Sequence, residues 1–480
     1  MAVDPYDPES FRRDGYEVID VLADYLAGTA NREGPVLDFV SPAELLEQWP
    51  ADFSIEQTER LPDLTRRVIR ESHHIHHPRY VGHQVSAPLP TAALAELVGA
   101  VLNNGMAEYE MGPVANVMEQ RVIEWLGTAL GFDDPVGGML TSGGSVANLT
   151  ALAAARQSVS GTDIWRDGVT GAEPLGILVS GQAHYSIDRA ARILGLGAAG
   201  VIAVATDDQM RLDPARIADA EREAERRGRR VFAIVGSACT TSTGAFDPLD
   251  AIADYADAHG LWFHVDGAHG AVAALSPRYR HLVNGIERAD SVIIDAHKML
   301  QMPALITAVL FKRRETASLA FHQDQSYINF REEVGEYPWW DSGLRTLECT
   351  KRMMSLEIYA AVREHGTDRF RVHVESTFDL ARRFAKMLDD EPDFECPVEP
   401  QANIVCFRYA PASIRDLDEL QLRVRTALLA SGDFYIVKTR LRGGIYLRIT
   451  VINARTTDED LRNLLAAVKA AAASTTASPH

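Results

Sequence analysis

Asp290-Ser-Val-Ile-Ile-Asp-Ala-His-Lys298 is an apolar run that stops abruptly at a histidine and a lysine. Val292, Ile293 and Ile294 are consecutive β-branched residues, the pattern of a short strand buried on both faces that delivers the next few residues to the rim of a sheet. An amine placed there is a candidate for imine formation with an aldehyde, because desolvation disfavours the ammonium and frees the lone pair. The competing reading of a strand-end lysine is a side chain that simply reaches water. The surrounding chain decides between them.

From about residue 176 to 313, short apolar runs alternate with helical segments. Gly176–Ser180, Val201–Ala205, Val231–Val235, Leu261–Asp266, Ser291–Asp295 and Ala304–Phe311 read as strands, with helices over Asp213–Gly228 and Pro248–Gly260. Such alternation predicts an α/β fold with a mainly parallel sheet, helices on both faces, and ligands at the carboxyl ends of the strands. His184, Thr240, Thr241, Asp266 and Lys298 all fall at those ends. Upstream, Thr141-Ser-Gly-Gly-Ser145 opens an alanine-rich helix running to Arg156. Small residues before a helix make a phosphate cradle, since the first-turn N–H groups and the helix dipole favour an anion. No Gly-Lys-Ser/Thr comes after it, so this is not a nucleotide-binding P-loop. Taken alone it is a weak signal, and an ordinary capped helix is the plainer reading.

The flanks complete the organisation. Residues 9–75 read as helices, with Phe11, Tyr16, Val18, Ile19, Leu22 and Tyr25 on one apolar stripe. After the aromatic-rich stretch Phe321–Gly343 and a helical region over 351–387, Ile404–Tyr409, Phe434–Val437 and Ile445–Ile452 read as strands, with helices near 416–431 and 458–473. The expected division is a helical arm over 1–75, a large domain over 76–350 and a small C-terminal α/β domain over 351–480. Ser72-His-His-Ile-His-His-Pro-Arg-Tyr80 is dense in histidine, but no carboxylate or cysteine stands at ligand spacing. No metal site is expected.

Composition narrows the function. The chain has 480 residues and 48 basic against 67 acidic side chains, a net charge of −19, and no basic stretch offsets it. Nucleic acid and anionic membranes are therefore poor partners. Four widely spaced cysteines suggest neither metal nor disulfides and suit a reducing cytoplasm. The N-terminus lacks the basic and apolar blocks of a signal peptide, and no stretch approaches the roughly 18 apolar residues of a membrane helix.

A lysine that holds an aldehyde, a helix start that anchors a phosphate, an aspartate that pairs with a ring nitrogen and an imidazole that stacks on the ring are the requirements of pyridoxal 5′-phosphate. The motifs His77-Pro-Arg-Tyr80, Thr141-Ser-Gly-Gly-Ser-Val-Ala-Asn148, His184-Tyr-Ser-Ile187, Thr240-Thr241 with Gly244-Ala-Phe-Asp-Pro248, His264-Val-Asp266 and Asp295-Ala-His-Lys-Met299 resemble those of the group II pyridoxal-phosphate decarboxylases. That family includes glutamate, cysteine sulfinate and aromatic amino acid decarboxylases. The resemblance spans about Phe11 to Val468.

It implies a fold type I, aspartate aminotransferase-like architecture, and a homodimer whose sites lie at the subunit interface. It also implies decarboxylation of an L-amino acid to the amine and carbon dioxide, through an external aldimine and a quinonoid. By the resemblance Lys298 carries the cofactor, and Gly144, Ser145 and His297 surround the phosphate. Asp266 pairs with the pyridine nitrogen, Ala268 packs on the ring, His184 stacks over its other face and Thr240 lies near its substituents. Arg448 meets the substrate carboxylate, Tyr80 and His83 border the substrate, and Arg345 is a candidate partner for an acidic side chain. Tyr337, with Tyr327 in reserve, is the expected proton donor to Cα. Loss of that tyrosine in the family accompanies aldehyde formation. An aminotransferase, an aldehyde-forming deaminase or a carbon–carbon lyase on the same fold is the alternative, and a catalytically silent scaffold is a remoter one.

Overall fold

The computed structural model describes residues 4–49, 59–133, 135–159, 161, 163–321 and 338–476. Compactness divides the chain into Gln84–Arg382 with Val398–Ile404, and a second unit of Met1–His83, Arg383–Pro397 and Val405–His480.

The larger unit is built on seven strands: β1 (Gly137–Thr141), β2 (Leu175–Ser180), β3 (Val201–Val204), β4 (Arg230–Ser237), β5 (Trp262–Asp266), β6 (Ser291–Asp295) and β7 (Thr307–Phe311). Their order across the sheet is β1-β7-β6-β5-β4-β2-β3. Strands β3, β2, β4, β5 and β6 run parallel to one another across the sheet, while β7 lies antiparallel to both β6 and β1. The expected mainly parallel α/β sheet is present. β7 reverses because the link from Asp295 to Thr307 carries no crossover helix.

β1 is not among the strands expected from the sequence, since Gly137-Gly138 lacks the β-branched signature of a strand. Close packing explains the glycines: a Cβ on Gly138 would stand 2.5 Å from the Val309 carbonyl oxygen of β7. The helix Gly144–Val159 then lies across β4, β5, β6 and β7. Its buried Ala147, Ala151, Ala153, Ala154 and Ala155 let it approach the sheet closely, and they join Ile177, Phe232, Ile293 and Phe311 in one apolar cluster.

The second unit holds a four-stranded sheet of β8 (Phe394–Glu395), β9 (Ile404–Tyr409), β10 (Val437–Leu441) and β11 (Gly444–Thr450), in the order β10-β11-β9-β8. The strand expected at Phe434–Val437 begins only at Val437. Arg442 and Gly443, both with positive φ (49° and 85°), form the two-residue turn that sets the β10/β11 register. The polar run Lys438, Thr439 and Arg440 masks this strand in the sequence.

The grouping also departs from the sequence division, because residues 1–83 are stitched to the C-terminal strands. Val36 N donates to Gly432 O at 2.7 Å, Thr450 N to Val81 O at 2.8 Å, and Arg32 grips Asp460 through two bonds of 2.9 and 2.8 Å. The histidines of 73–77 belong to this packing. His73 meets the Tyr80 and Tyr435 rings at 4.8 and 4.2 Å, and His74 lies 5.5 Å from Tyr25. Among the described residues, no helix is long and apolar enough to cross a membrane.

Candidate active site

The carboxyl ends of β4, β5 and β6 open onto a cleft of about 160 Å³. It is lined by Lys298, Asp266, His184, Gly144, Ser145, Thr240, Ala268 and His297, eight residues to which the family resemblance gives a cofactor role, by the strand-end candidate Thr241, and by Asn148, Ser186, Ser237, Cys239, His269 and Asp295. All of them belong to the larger unit. The fold brings them together because β5 ends in Asp266, β6 ends three residues before Lys298, and the helix beginning at Gly144 lies over both strands.

Lys298 Nζ lies 2.7 Å from Asp295 Oδ2, and Asp295 Oδ1 also accepts from Thr307 Oγ1 at 2.6 Å. Burial is the largest influence on Lys298 and favours the neutral amine, as its position in the sequence suggests. The carboxylates of Asp295 and Asp266 outweigh it, so the lysine's pKa is raised. Asp295 is correspondingly lowered: burial opposes ionisation, but Lys298 and His297 prevail. In the cofactor-free protein the lysine is thus an ion-paired ammonium rather than a free amine.

Asp266 accepts from Asn148 Nδ2 at 3.1 Å and from the Ala268 amide at 3.3 Å, and its side chain lines the cleft. His184 caps the helix Tyr185–Ile193. Its Nδ1 accepts from the Ser186 amide at 3.3 Å, with Ser186 Oγ 2.8 Å away. Burial lowers the His184 pKa against the pull of Asp266, which keeps the ring neutral near pH 7. Thr240 Oγ1 is 2.9 Å from Thr243 Oγ1, and His297 Nδ1 is 2.9 Å from Ile306 O. The helix start at Gly144 leaves first-turn N–H groups without intrahelical acceptors. A Cβ on Gly144 would stand 3.0 Å from Asp295 Oδ1, so glycine keeps the cradle open there.

An amine, a buried carboxylate, a neutral imidazole and a glycine-bearing helix start around one cleft match the aldehyde, pyridine and phosphate of pyridoxal phosphate. The family model for the pyridoxal-dependent decarboxylase conserved domain matches residues 42–410. The chain belongs to the pyridoxal-dependent decarboxylases. It is 32% identical over 421 residues to the cysteine sulfinic acid decarboxylase of Mus musculus, covering 87% of this chain and 84% of that protein. It is 29% identical over 473 residues to the aromatic-L-amino-acid decarboxylase of Bacillus atrophaeus, covering 97% of this chain and 96% of that one. The crystal structure of mouse CSAD in apo form superposes with a TM-score of 0.89 at 28% identity, over 97% of this chain and 99% of that chain. This decarboxylase therefore acts on an amino acid and uses pyridoxal phosphate.

Tyr80, His83 and Arg448 lie in the second unit, where Tyr80 and His83 both meet the Tyr435 ring. The Tyr80 and Tyr435 rings stack with centroids 5.6 Å apart at an interplanar angle of 1°, and His83 lies 5.6 Å from Tyr435. Burial raises the Tyr80 pKa and lowers that of His83, and the Arg448 charge acts on both. Tyr435 gives no sign of this in the sequence, where it reads as one more apolar strand residue. Arg345 does not line the cleft. It is buried, donates to Gly138 O at 3.0 Å and lies 4.0 Å over the Trp339 ring, so it is engaged structurally. Tyr327 and Tyr337 lie outside the described residues. Asn148 and Asp295 carry no role in the sequence reading, although one stands a helical turn after Gly144 and the other three residues before Lys298.

Proposed function

We propose that Lys298 is the amine that carries the cofactor in this decarboxylase. Gly144, Ser145 and His297 hold its phosphate, Asp266 keeps a proton on the ring nitrogen, Ala268 and His184 enclose the ring, and Thr240 borders its substituents. The observation that supports this reading is the convergence of these eight residues on one cleft. Bound there, pyridoxal phosphate supplies the electron sink for the pair released as the substrate carboxylate leaves as carbon dioxide. Asp266 is suited to its part because two donors fix its carboxylate from behind. His184, neutral and hydrogen-bonded through Nδ1, presents an uncharged face.

Arg448, with Tyr80 and His83, is the group assigned to the substrate, an L-amino acid whose carboxylate the guanidinium attracts. Tyr337 is assigned the return of a proton to Cα on sequence grounds, with Tyr327 in reserve. The enzyme is proposed to act as a homodimer in the cytoplasm. Leu94, Leu97, Val98, Val101 and Leu102 form an exposed apolar row on the helix Pro90–Leu102, which supports a partner copy, and the low count and wide spacing of the cysteines in the sequence suit a reducing compartment.

The experiment is a panel of L-amino acids with carbon dioxide, amine, keto acid, ammonia and hydrogen peroxide all quantified, alongside borohydride trapping and peptide mapping. The expected result is carbon dioxide and amine in equal amounts with the label on Lys298. Label on another lysine overturns the assignment. Keto acid without carbon dioxide overturns the decarboxylation outcome.

A further inference from the structure

Behind the cleft a run of buried polar side chains is joined end to end. On β5, Trp262, His264 and Asp266 alternate, so all three project from one face of the sheet. The helix Gly144–Val159 covers that face and carries Asn148. In register with His264 on β6 stands Ser291. Trp262 Nε1 lies 2.9 Å from Ser291 Oγ, and Ser291 Oγ lies 2.8 Å from His264 Nδ1. His264 Nε2 is 2.9 Å from Asn148 Oδ1. Asn148 Nδ2 reaches Asp266 Oδ2 at 3.1 Å and Ser186 Oγ at 2.9 Å, and Ser186 in turn touches His184.

The carboxylate end of this run sets the direction of the bonds in it. An indole N–H can only donate and a carboxylate can only accept. The Asp266 carboxylate takes Asn148 Nδ2, which leaves Asn148 Oδ1 facing His264 Nε2 as an acceptor; with the proton of a neutral His264 on Nε2, Ser291 accepts from Trp262 and turns its own hydrogen to His264 Nδ1. His264 is fully buried and its pKa is pushed down to about 4 by burial, so it is neutral and its one proton sits on Nε2, donating to Asn148 Oδ1. That fixes the amide with both Nδ2 hydrogens outward, one on Asp266 and one on Ser186. The flipped amide would set its oxygen 3.1 Å from the Asp266 carboxylate, facing acceptor to acceptor. Ser186, filled by Asn148, then turns its hydrogen to His184 Nδ1.

From this geometry we propose that Asn148 is a positioning residue that sets both faces of the cofactor site at once. One amide hydrogen orients the carboxylate that serves the ring nitrogen. The other fixes, through Ser186, the tautomer and orientation of the imidazole that covers the ring. The proposal rests on the assignment of Asp266 and His184 to the cofactor. His264 meets the Asn148 oxygen on the side away from Asp266, and Ser291 and Trp262 continue the run behind it.

The test uses Asn148→Leu, which removes the amide at similar volume, and Asn148→Ser, which removes it while leaving space, with Asp266→Asn for comparison. Cofactor affinity and the pH midpoint of the bound cofactor's visible absorption band are measured, with circular dichroism of each protein. In either Asn148 variant that keeps the native circular dichroism, cofactor affinity is expected to fall about tenfold or more, as for loss of a bond to a charged acceptor. The band's midpoint is expected to move in the same direction as in Asp266→Asn. Unchanged affinity and midpoint, where Asp266→Asn changes both, overturn the role of Asn148 and leave that of Asp266 standing. If Asp266→Asn also changes neither, the assignment of Asp266 itself fails. Loss of native circular dichroism in both Asn148 variants before any cofactor is added makes the residue a folding determinant and overturns the proposal.

Discussion

Lys298 Nζ stands 2.7 Å from Oδ2 of the buried Asp295, so the amine that must attack an aldehyde is held as an ammonium until the cofactor arrives. The lysine's pKa is raised above its ordinary 10.5 and the aspartate's is lowered below its ordinary 3.8. The aspartate's contribution to stability is present above 3.8 and fades as pH falls through its lower folded value. The lysine's is present below 10.5 and fades as pH rises through its higher one. Asp295→Asn in the cofactor-free protein is expected to lose roughly 1–3 kcal/mol across the range between those limits, with the deficit closing in acid. Without that carboxylate the main charge opposing burial is gone and the Lys298 pKa is expected to fall, so amine-selective acylation of the variant at neutral pH is expected to be faster. Denaturant titrations at several pH values and labelling rates check both; equal labelling of the two proteins would contradict the ion pair's role.

Gly267 comes directly after Asp266, and a Cβ added there would lie 2.5 Å from the Ala271 Cβ and 2.8 Å from the Ile293 carbonyl oxygen. Neither is the far end of a flexible side chain, so the end of β5 must move. Gly267→Ala is expected to cost about 1–3 kcal/mol of stability as an overpacked core site does. It should also weaken cofactor binding more than an equally destabilising change remote from the cleft. Thermal melts and cofactor titration of the purified variant read the two effects separately.

What can be read from the sequence divides by whether a residue's signal is local. Ser291–Asp295 and Ile404–Tyr409 coincide with β6 and β9, because a buried strand must be a run of apolar, largely β-branched residues. Asp266 and Lys298 are legible because one ends such a strand and the other comes three residues after one. β1 is not, since what Gly138 satisfies is the approach of Val309 from 171 residues further along the chain, and what Gly137 satisfies is that of Arg314. Asn148 shows nothing locally beyond a polar residue in an alanine-rich helix. Its place between Asp266, Ser186 and His264 exists only once helix and sheet are packed. Arg345 shows the converse: the sequence offers it as a charge for substrate, and the structure adds its contacts with Gly138 O and the Trp339 ring, which no local signal announces.

Glu357 is buried, 3.6 Å from Arg352, and burial pushes its carboxyl up to about 8 from an ordinary 4.5 despite that charge. A raised acid favours the folded state below the unfolded value of 4.5, and that advantage is lost as pH rises through 8. Glu357→Gln keeps the volume and has no proton to lose. It is therefore expected to be more stable than the wild type by roughly 1–3 kcal/mol at pH 8, with the difference vanishing near pH 4.5. Melting temperatures of both proteins over that range test the sign; a variant less stable at pH 8 would mean that Arg352 holds the glutamate ionised.

Lys351 and Glu119 form a buried ion pair, Nζ lying 2.7 and 2.8 Å from the two carboxylate oxygens, and the same ammonium donates to Leu140 O on β1 at 2.7 Å. Both charges gave up water to reach this site, so their attraction largely offsets a desolvation cost rather than adding net stability. Lys351→Met alone leaves a carboxylate buried without its cation and is expected to lose roughly 3–5 kcal/mol. Combining it with Glu119→Leu removes the orphaned charge, and most of that loss should return. The Leu140 carbonyl still forfeits one donor, so recovery should fall short by about 1 kcal/mol. Urea unfolding midpoints of the two single variants and the double variant give the coupling directly. Losses that simply add would show that the two side chains act independently and that the pair is not what keeps either of them buried beside β1.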